Sequence, residues 1–395
     1  MKVLYISHFK EGTGWGQAAI NYILALDAAG VDVVPRAIKL NNAQPEIPER
    51  VLELEAKSES GCDVLIQHVL PHLMDYDGRF KLNIGIYFTE TTHFRNCSWP
   101  ERLNAMDWLW VCNEQMLQAA RNSHVGTPIS IVPIPCDTSR FQKEYERFPI
   151  QQIEGRFTFY TIGEMMKRKN FNALVKAFHL EFEPQEPVAL LIKSNIPGKP
   201  PEFVNNMLKE NCNQIKDNLK LYPDRNIYHK EIFLSQHLTE EQMMQLHATC
   251  DCYVSSSYCE AWGIPAFDAM GMGKTPICTN IGGPADFVDD GGWLINGMMV
   301  PCFGMTGSFG ELYVGNEKWL EIDLDHLRET MRFVYEKVDK RQLRSEAGMN
   351  RVYNYSHGAV GTIMKDILEN PMMSRCENTI AKHHSLKRLL KCQPV

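Results

Sequence analysis

The chain lacks three features that would assign it to other classes of protein. It has 12 cysteines in 395 residues but no Cys-x-x-Cys pair, so neither a zinc ribbon nor a thioredoxin-type redox site is indicated. No apolar run reaches 18 residues, so no transmembrane helix is predicted. The opening MKVLYISHF lacks the longer apolar core and the cleavage site of a signal peptide. We expect a cytoplasmic protein with reduced cysteines.

An excess of positive charge is also missing. Lys and Arg number 41 against 48 Asp and Glu, which gives a formal net charge of −7 and argues against nucleic acid as the main partner. The tail 371–395 differs, because AKHHSLKRLLKC (381–392) is basic and could form a small amphipathic helix. Two interpretations of this tail stay open: a loosely packed terminus, or a peripheral contact with a membrane surface.

The rest of the chain has the composition of a globular α/β protein. Apolar residues make up 44% and charged residues 23%, and the length suits two domains. Apolar, β-rich segments alternate with helical segments in two series, separated by the polar segment 142–156. Such alternation is typical of parallel sheets covered by helices. We predict Rossmann-like α/β domains with mostly parallel sheets over 1–145 and 156–350.

A glycine-rich stretch follows the first predicted strand. After KVLYIS (2–7) comes the loop GTGWGQ (12–17), in which Gly14 and Gly16 allow a ligand to approach the backbone closely. A dinucleotide-binding fingerprint is one interpretation. It is disfavoured because the next strand, VDVVPRAI, does not end in the acidic residue that the ribose of NAD requires.

The most informative stretch is CEAWGIPAFDAM (259–270), which holds two carboxylates eight residues apart. Glu260 precedes Gly263, and Asp268 lies about one turn inside the helix that Pro265 is suited to begin. The amides of that first turn would form an anion site at the carboxyl end of the sheet. Carboxylates beside such a site need partners such as sugar hydroxyls, so the stretch predicts a nucleotide-sugar site. A solvated Glu260 and a helix-cap Asp268 are the plainer alternative.

The longer run 250–288 resembles the donor-binding core of the retaining glycosyltransferases of family 4. These enzymes have the GT-B fold, two Rossmann-like domains that face a central cleft. Glu260 and Asp268 match the family's E-x7-E signature, with Asp in place of the second Glu. The resemblance implies that Glu260 contacts the transferred sugar and that Asp268 holds the ribose. It also implies that backbone amides of Gly263 and Ile264 bind the sugar and the diphosphate.

The segment GEMMKRKNFNALVKAF (163–178) resembles the one that opens the family's C-terminal domain. In the family it usually carries a Gly-Arg pair and a Lys, both on the donor diphosphate. Here Lys169 lies at the Lys position and Glu164 replaces the Arg, so Arg168 is expected to supply the second positive charge. Cations at this place would stabilise the charge on the leaving group.

In the N-terminal half the resemblance leaves one role with two candidates. The stretch 85–114 resembles the part that faces the acceptor, where many family members have a catalytic His at the strand end. Glu90 lies at that strand end here and is the favoured catalytic residue, and His93, three residues later, is the second candidate. GTGWGQ resembles the family's Gly-rich loop, which would bring Gly14 and Gly16 to the donor.

The end of the chain completes the resemblance. YNYSHGAVGTIMKDIL (353–368) resembles the family's final helix, which crosses back to the N-terminal domain. We therefore predict that residues from about 353 to 370 complete the domain 1–145 and that 371–395 is a separate basic tail.

The predicted function is transfer of a sugar from a UDP- or GDP-sugar to the hydroxyl of a glycan or other acceptor, with retention of configuration. The resemblance implies neither a cofactor nor a metal, and the Asp-x-Asp triplets at 75–77 and 323–325 are predicted to be surface carboxylates. His68 and His72 are weaker catalytic candidates, because a lone His is more often structural. A GT-B nucleotide-sugar epimerase and a nucleotide-sugar-binding module without turnover are the alternatives.

Overall fold

The two series of apolar segments form two six-stranded sheets, and the chain divides into two units. The computed structural model describes residues 1–39, 45–196, 198–306 and 311–370, so the basic tail lies outside the described residues. The first unit contains Met1–Thr89, His93–Asp137 and the chain from Asn354, and the second contains Glu90–Thr92 and Thr138–Tyr353.

The strands are β1 (Lys2–Ser7), β2 (Asp32–Ala37), β3 (Val64–His68), β4 (Leu82–Ile86), β5 (Trp108–Val111), β6 (Ile129–Ile131), β7 (Phe157–Ile162), β8 (Val188–Lys193), β9 (Ile232–Leu234), β10 (Cys252–Ser255), β11 (Ile277–Thr279), β12 (Trp293–Ile295), β13 (Gly297–Pro301) and β14 (Lys318–Ile322). The α-helices are α1 (Gly14–Ala28), α2 (Glu49–Glu55), α3 (Trp99–Asn104), α4 (Glu114–Asn122), α5 (Phe171–Glu181), α6 (Pro201–Leu219), α7 (Glu240–Thr249), α8 (Ile264–Gly271), α9 (Gly283–Phe287), α10 (Leu324–Glu336), α11 (Val338–Arg351) and α12 (His357–Glu369).

The sheet of the first unit has the order β2-β1-β3-β4-β5-β6, and all its neighbouring strands are parallel. Strands β3 and β5 are buried along their whole length. Their sequences, VLIQH and WLWV, are the near-continuous apolar runs that a sheet covered on both faces requires. The mostly parallel α/β architecture predicted for this half is therefore present.

Helix α1 begins inside the glycine-rich stretch, so the prediction of a loop over residues 12–17 is wrong from Gly14 onward. The hydroxyl of Thr13 caps the helix by accepting a hydrogen bond from the amide of Gly16 at 3.2 Å. Only glycine fits at position 16, because a Cβ there would lie 2.1 Å from the carbonyl oxygen of Glu11. This capped start satisfies an amide that a loop would leave to solvent.

Helix α12 packs against α1 within the first unit. The two backbones approach closely at Gly361, where an added Cβ would lie 2.1 Å from the carbonyl oxygen of Ala25. Nearby, Nε2 of His357 is 2.8 Å from Oδ1 of Asn21. The chain thus returns to the first unit after it has completed the second.

The sheet of the second unit has the order β12-β11-β10-β7-β8-β9, again with parallel neighbours. Its apolar core includes Phe159, Phe178, Leu190, Val254, Leu327 and Met331. Thr239 and Gln242 form a capping box at the start of α7. The sequence did not predict the antiparallel hairpin of β13 and β14. No helix among the described residues is long and apolar enough to cross a membrane.

The contact at Gly361 makes a prediction about the stability of the first unit. Gly361→Ala should lower the free energy of unfolding by about 1–3 kcal/mol, because the methyl group collides with the backbone of α1. Gly358→Ala in the same helix is the matched control, since a Cβ there meets nothing within 4 Å. We expect this control to be neutral or to gain up to about 1 kcal/mol in helix propensity. Equal urea-unfolding midpoints for the two variants would contradict the close packing.

Candidate functional site

The candidate site lies at the carboxyl ends of β7 and β10, which are neighbours in the middle of the second sheet. A turn at residues 167–169 follows β7, and a loop leads from β10 to α8. The two segments are bonded to each other: the amide of Tyr258 donates to the carbonyl of Arg168 at 2.9 Å, and the hydroxyl of Ser256 donates to the carbonyl of Asn170 at 2.8 Å. Ligands of open α/β sheets bind at this edge.

Glu260 is the centre of a partly buried ion cluster. Lys169 Nζ donates to its Oε1 at 2.6 Å, Arg168 Nη1 donates to its Oε2 at 2.9 Å, and the Ser257 hydroxyl donates to Oε1 at 2.6 Å. Burial alone would raise the pKa of Glu260, but the two cations and the Ser257 hydrogen bond outweigh burial and lower this pKa to about 2. The carboxylate is therefore ionised at every physiological pH.

Arg168 connects Glu260 to a second carboxylate, that of Glu90. Arg168 Nη2 lies 3.4 Å from Glu90 Oε1, and the hydroxyl of Tyr313 donates to Glu90 Oε2 at 2.9 Å. The structure thus brings together four residues that the sequence predicted separately: Glu90, Arg168, Lys169 and Glu260. Tyr313 was missed, because it lies between the strands of a hairpin that no sequence pattern indicated.

The short segment that carries Glu90 is anchored to β14 of the second unit. The amide of Thr92 donates to the carbonyl of Lys318, and the amide of Lys318 donates to the Thr92 hydroxyl, both at 3.0 Å. This anchor explains why Glu90–Thr92 belongs to the second unit although the residues on either side belong to the first.

Three other predicted residues, Gly14, Gly16 and His93, belong to the first unit. Gly16 is required by the capped start of α1, whereas a Cβ at Gly14 would meet nothing within 4 Å. His93 is buried in the segment that follows β4. Their predicted roles toward the donor and the acceptor stay predictions.

Helix α8 begins where the sequence predicted it. Gly263 precedes the helix with a left-handed φ of 90°, which favours glycine, and Pro265 lies in the first turn. The first hydrogen bond within the helix runs from the Ala266 amide to the Gly263 carbonyl at 2.9 Å. The helix therefore does not use the amides of Gly263 and Ile264, which follow Glu260 closely in the chain.

Asp268 is paired with Arg140, a residue that the sequence analysis did not single out. Arg140 Nη2 donates to Asp268 Oδ1, and Arg140 Nη1 lies 3.3 Å from Glu240 Oε1. Burial raises the pKa of Asp268 to about 6, and Arg140 opposes that rise. The close contact with Arg140 indicates that the negative charge of Asp268 is well compensated, whereas the raised pKa indicates that it is compensated only in part. With either degree of compensation, Asp268 is ionised at neutral pH. Only the fold brings residues 140 and 268 together.

Carboxylates of both Asp-x-Asp triplets are bonded to groups of the protein itself. Asp75 pairs with Arg102 and Asp77 with Arg79, while Asp323 caps α10 by accepting hydrogen bonds from two backbone amides. Among the described residues, no group of three or more His, Cys, Asp or Glu could hold a metal ion. The expectation that the reaction requires no metal and no cofactor stays a prediction.

The pair of Arg140 and Asp268 predicts a large cost for removing one partner. Arg140→Met should lower the free energy of unfolding by about 3–5 kcal/mol, because it leaves a buried carboxylate without its counter-charge. Arg225→Met is the control, since Arg225 forms an exposed pair with Asp217 that is worth at most about 1 kcal/mol. Chemical denaturation of both variants measures the difference, and similar costs would refute the pairing.

The low pKa of Glu260 predicts how stability depends on pH. A pKa that falls from 4.5 in the unfolded chain to about 2 in the folded protein contributes stability above pH 4.5, and this stability is lost as the pH falls toward 2. Between pH 5 and 3 the unfolding free energy of Glu260→Gln should therefore fall by about 2 kcal/mol less than that of the wild type. Glu241→Gln, an exposed position on α7, should follow the wild type. Parallel curves for all three proteins would contradict the ion cluster.

A family model of known proteins matches part of the second unit. Residues 142–304, which include Arg168, Lys169, Glu260 and Asp268, match the family model of glycosyl transferases group 1. No curated protein matches the chain in sequence.

Solved structures resemble the chain over nearly its whole length. Anabaena Alr3699/HepE in complex with UDP and glucose has a TM-score of 0.63 at 12% identity, covering 94% of this chain and 100% of that one. Sucrose-phosphate synthase from Thermosynechococcus elongatus has a TM-score of 0.62 at 13% identity, covering 95% and 100%. Trehalose-6-phosphate synthase OtsA has a TM-score of 0.65 at 11% identity, covering 93% and 99%.

At these identities the structural likeness establishes the fold, and the predicted GT-B fold with two Rossmann-like α/β domains is confirmed. The narrower assignment to family 4 stays a prediction. The resemblance found in the sequence is confirmed as a match to the wider family's model, which covers residues 142–304 and so includes Arg168, Lys169 and Glu260 of the ion cluster.

Proposed function

We propose that this protein transfers a sugar from a nucleotide-diphosphate sugar to an acceptor hydroxyl, with retention of configuration, in the synthesis of a glycan or glycoconjugate. The observation that carries the proposal is the ionised Glu260, held between Arg168 and Lys169 directly before the start of α8. This arrangement places two cations, a carboxylate and unused backbone amides at one sheet edge.

Each part of the cluster has a role in this reaction. Breaking the bond between the sugar and the diphosphate places negative charge on the leaving group. Arg168, Lys169 and the amides of Gly263 and Ile264 would stabilise that charge. Because these groups are already fixed by the fold, they need little reorganisation when the bond breaks.

Glu260 is proposed to bind the transferred sugar and not to attack it. A carboxylate whose pKa is held at about 2 by Lys169 and Arg168 is a weak base and a poor nucleophile. It is nevertheless a good acceptor of hydrogen bonds from sugar hydroxyls. This role agrees with a retaining reaction in which the leaving group and the attacking hydroxyl share one face of the sugar, without a covalent enzyme intermediate.

For the catalytic role that the resemblance assigns to the N-terminal half, Glu90 stays the first candidate. Arg168 lies within ion-pairing distance of both Glu90 and Glu260. A single side chain, that of Arg168, therefore connects Glu90 to the carboxylate that is proposed to bind the sugar. His93 keeps the second place.

Asp268 is proposed to hold the ribose together with Arg140. Arg140 binds Oδ1 of Asp268, which leaves Oδ2 for a ribose hydroxyl. Asp is one methylene group shorter than the Glu of the family signature, and Arg140 fixes the direction in which this shorter side chain points.

A UDP-sugar is the first donor to test. HepE was solved with UDP and glucose, and an E. coli trehalose-6-phosphate structure was solved bound with UDP-2-fluoro glucose. The proposal also includes GDP-sugars as donors. It further includes a cytoplasmic location, a reaction that needs neither a metal nor a cofactor, and a peripheral membrane contact through the basic tail. The alternatives, an epimerase of the same fold and a binding module without turnover, differ from the transferase in their products.

The test is a donor panel with matched variants. Purified protein is incubated with UDP-glucose, UDP-galactose, UDP-GlcNAc and GDP-mannose in the presence of candidate acceptors, and free nucleoside diphosphate is measured by mass spectrometry. We expect release from one donor, a loss of at least about 100-fold in Glu260→Ala and Lys169→Met, and wild-type release in the exposed control Glu241→Ala. NMR of the product should show the anomeric configuration of the donor.

The remaining outcomes identify the alternatives. Conversion of one nucleotide-sugar into its epimer would establish the epimerase. Binding of a donor without turnover in any combination would establish the binding module. Inversion of the anomeric centre would refute the retaining mechanism while leaving sugar transfer in place.

A further inference from the structure

Tyr313 connects the hairpin of β13 and β14 to the ion cluster of the second unit. It lies in the chain between these two strands, and its hydroxyl donates a hydrogen bond to Oε2 of Glu90 at 2.9 Å. The other carboxylate oxygen, Oε1, lies 3.4 Å from Nη2 of Arg168. Each oxygen of Glu90 therefore has its own partner, a neutral phenol for one and a cation for the other.

Arg168 pairs unequally with two carboxylates. Its Nη1 donates to Glu260 Oε2 at 2.9 Å, whereas its Nη2 lies 3.4 Å from Glu90. A carboxylate whose end can rotate often pairs with a guanidinium through both oxygens, because this geometry gives two charge-assisted hydrogen bonds. The phenol of Tyr313 occupies one oxygen of Glu90 and so opposes such a pair. Arg168 thereby keeps its shorter contact with Glu260.

The backbone of Tyr313 has an uncommon conformation. Its φ is 58°, in the left-handed region that residues with a bulky side chain rarely adopt. Such a conformation persists only where the surrounding contacts hold it, and it occurs most often at functional sites. Contacts with Glu317 and Trp319 hold Tyr313 in this conformation.

Glu317 binds the backbone of Tyr313 from a buried position. Its Oε2 accepts a hydrogen bond from the Tyr313 amide at 2.6 Å, and the residue has 0% of its surface exposed. The other oxygen, Oε1, has no hydrogen-bond partner among the residues that the structure describes. A buried carboxyl group with one unsatisfied oxygen lowers stability. The amide that Glu317 holds, and not a gain in stability, therefore explains its position.

Aromatic packing sets the direction of the phenol. The ring centre of Tyr313 lies 6.0 Å from that of Trp319, which belongs to a small apolar cluster of the second unit. Lys318, next to Trp319, forms two hydrogen bonds with Thr92. One corner of the hairpin thus holds the segment of Glu90 at two points, through the side chain of Tyr313 and through the backbone of Lys318.

We propose that Tyr313 and Glu317 are positioning residues for the sugar transfer. Glu317 fixes the backbone of Tyr313, and the Tyr313 hydroxyl keeps Glu90 from closing on Arg168. Glu90 then stays in place for its proposed catalytic role, and Arg168 stays available to Glu260 and to the leaving group. Neither Tyr313 nor Glu317 touches a substrate in this arrangement. The inference rests on the proposed function, because it serves the role that Glu90 has in that reaction.

Glutamine should be able to replace Glu317. Burial raises the pKa of Glu317 to about 7, and the hydrogen bond from the Tyr313 amide opposes this rise. A carboxyl oxygen accepts a hydrogen bond from an amide in either protonation state, and the side chain of glutamine offers the same kind of oxygen. Glu317→Gln therefore preserves the contact, whereas Glu317→Leu removes the acceptor and keeps a side chain of similar size.

The test measures kcat and KM with UDP-glucose, or with whichever donor of the panel turns over, and the Kd for UDP by calorimetry on the same samples. Tyr313→Phe removes the hydroxyl alone, and the double variant Tyr313→Phe/Glu317→Leu removes both contacts. Tyr353→Phe is the matched control, because Tyr353 is exposed in the same unit. A circular-dichroism melt shows which variants have folded, and Glu317→Met replaces Glu317→Leu if the latter has not.

We expect kcat to fall by about tenfold in Tyr313→Phe and in Glu317→Leu, while KM for the donor and the Kd for UDP stay within about twofold of the wild type. Glu317→Gln and Tyr353→Phe should keep kcat within about twofold of the wild type. Because Glu317 acts through Tyr313, the double variant should be no slower than Tyr313→Phe. Two residues that only stabilise the fold would not give this non-additive loss of kcat.

Three outcomes would overturn the inference while the wild type still transfers the sugar, so the proposed function would stand. An unchanged kcat in Tyr313→Phe would show that the hydroxyl does not position Glu90 for the reaction. Losses that multiply in the double variant would show that Glu317 acts by another route. Equal losses in Glu317→Gln and Glu317→Leu would show that the amide contact is not what matters.

Failure of the proposed function has a different signature. A wild type that binds UDP but turns over no donor of the panel would refute the transferase, and the positioning role would be refuted with it. This result appears in the wild type before any variant is compared.

Discussion

Parallel strand pairing is the constraint on which the rest of this structure depends. In each six-stranded sheet all strands point one way, so the segments that follow them meet at a single edge. That edge gathers Lys169 after β7 and Glu260 after β10, which are 91 residues apart in the chain. In the first unit the same rule places Ser7 beside His68. Residues that carry chemistry are thus brought together by strand direction, and the helices between them only need to return the chain.

Charge burial then determines how each gathered residue behaves. Glu260 and Asp268 are both nearly inaccessible, yet their pKa values move in opposite directions, to about 2 and about 6. The difference comes from their partners, because Glu260 has two cations and a hydroxyl, whereas Asp268 has Arg140 alone, which it shares with Glu240. A buried carboxylate remains ionised only to the extent that its neighbours replace the lost water.

The sequence by itself determined the α/β class, the two series of strands and helices, and the start of α8 at Gly263 and Pro265, because these depend on local periodicity and turn residues. Its motif also selected Glu260, Lys169 and Arg168. Only the tertiary structure decided that Arg168 pairs with both Glu260 and Glu90, that Tyr313 holds Glu90, and that Arg140 engages Asp268. These contacts join residues from 78 to 223 positions apart in the chain. No local pattern encodes them, because they depend on which strands become neighbours and on which charges must be buried together.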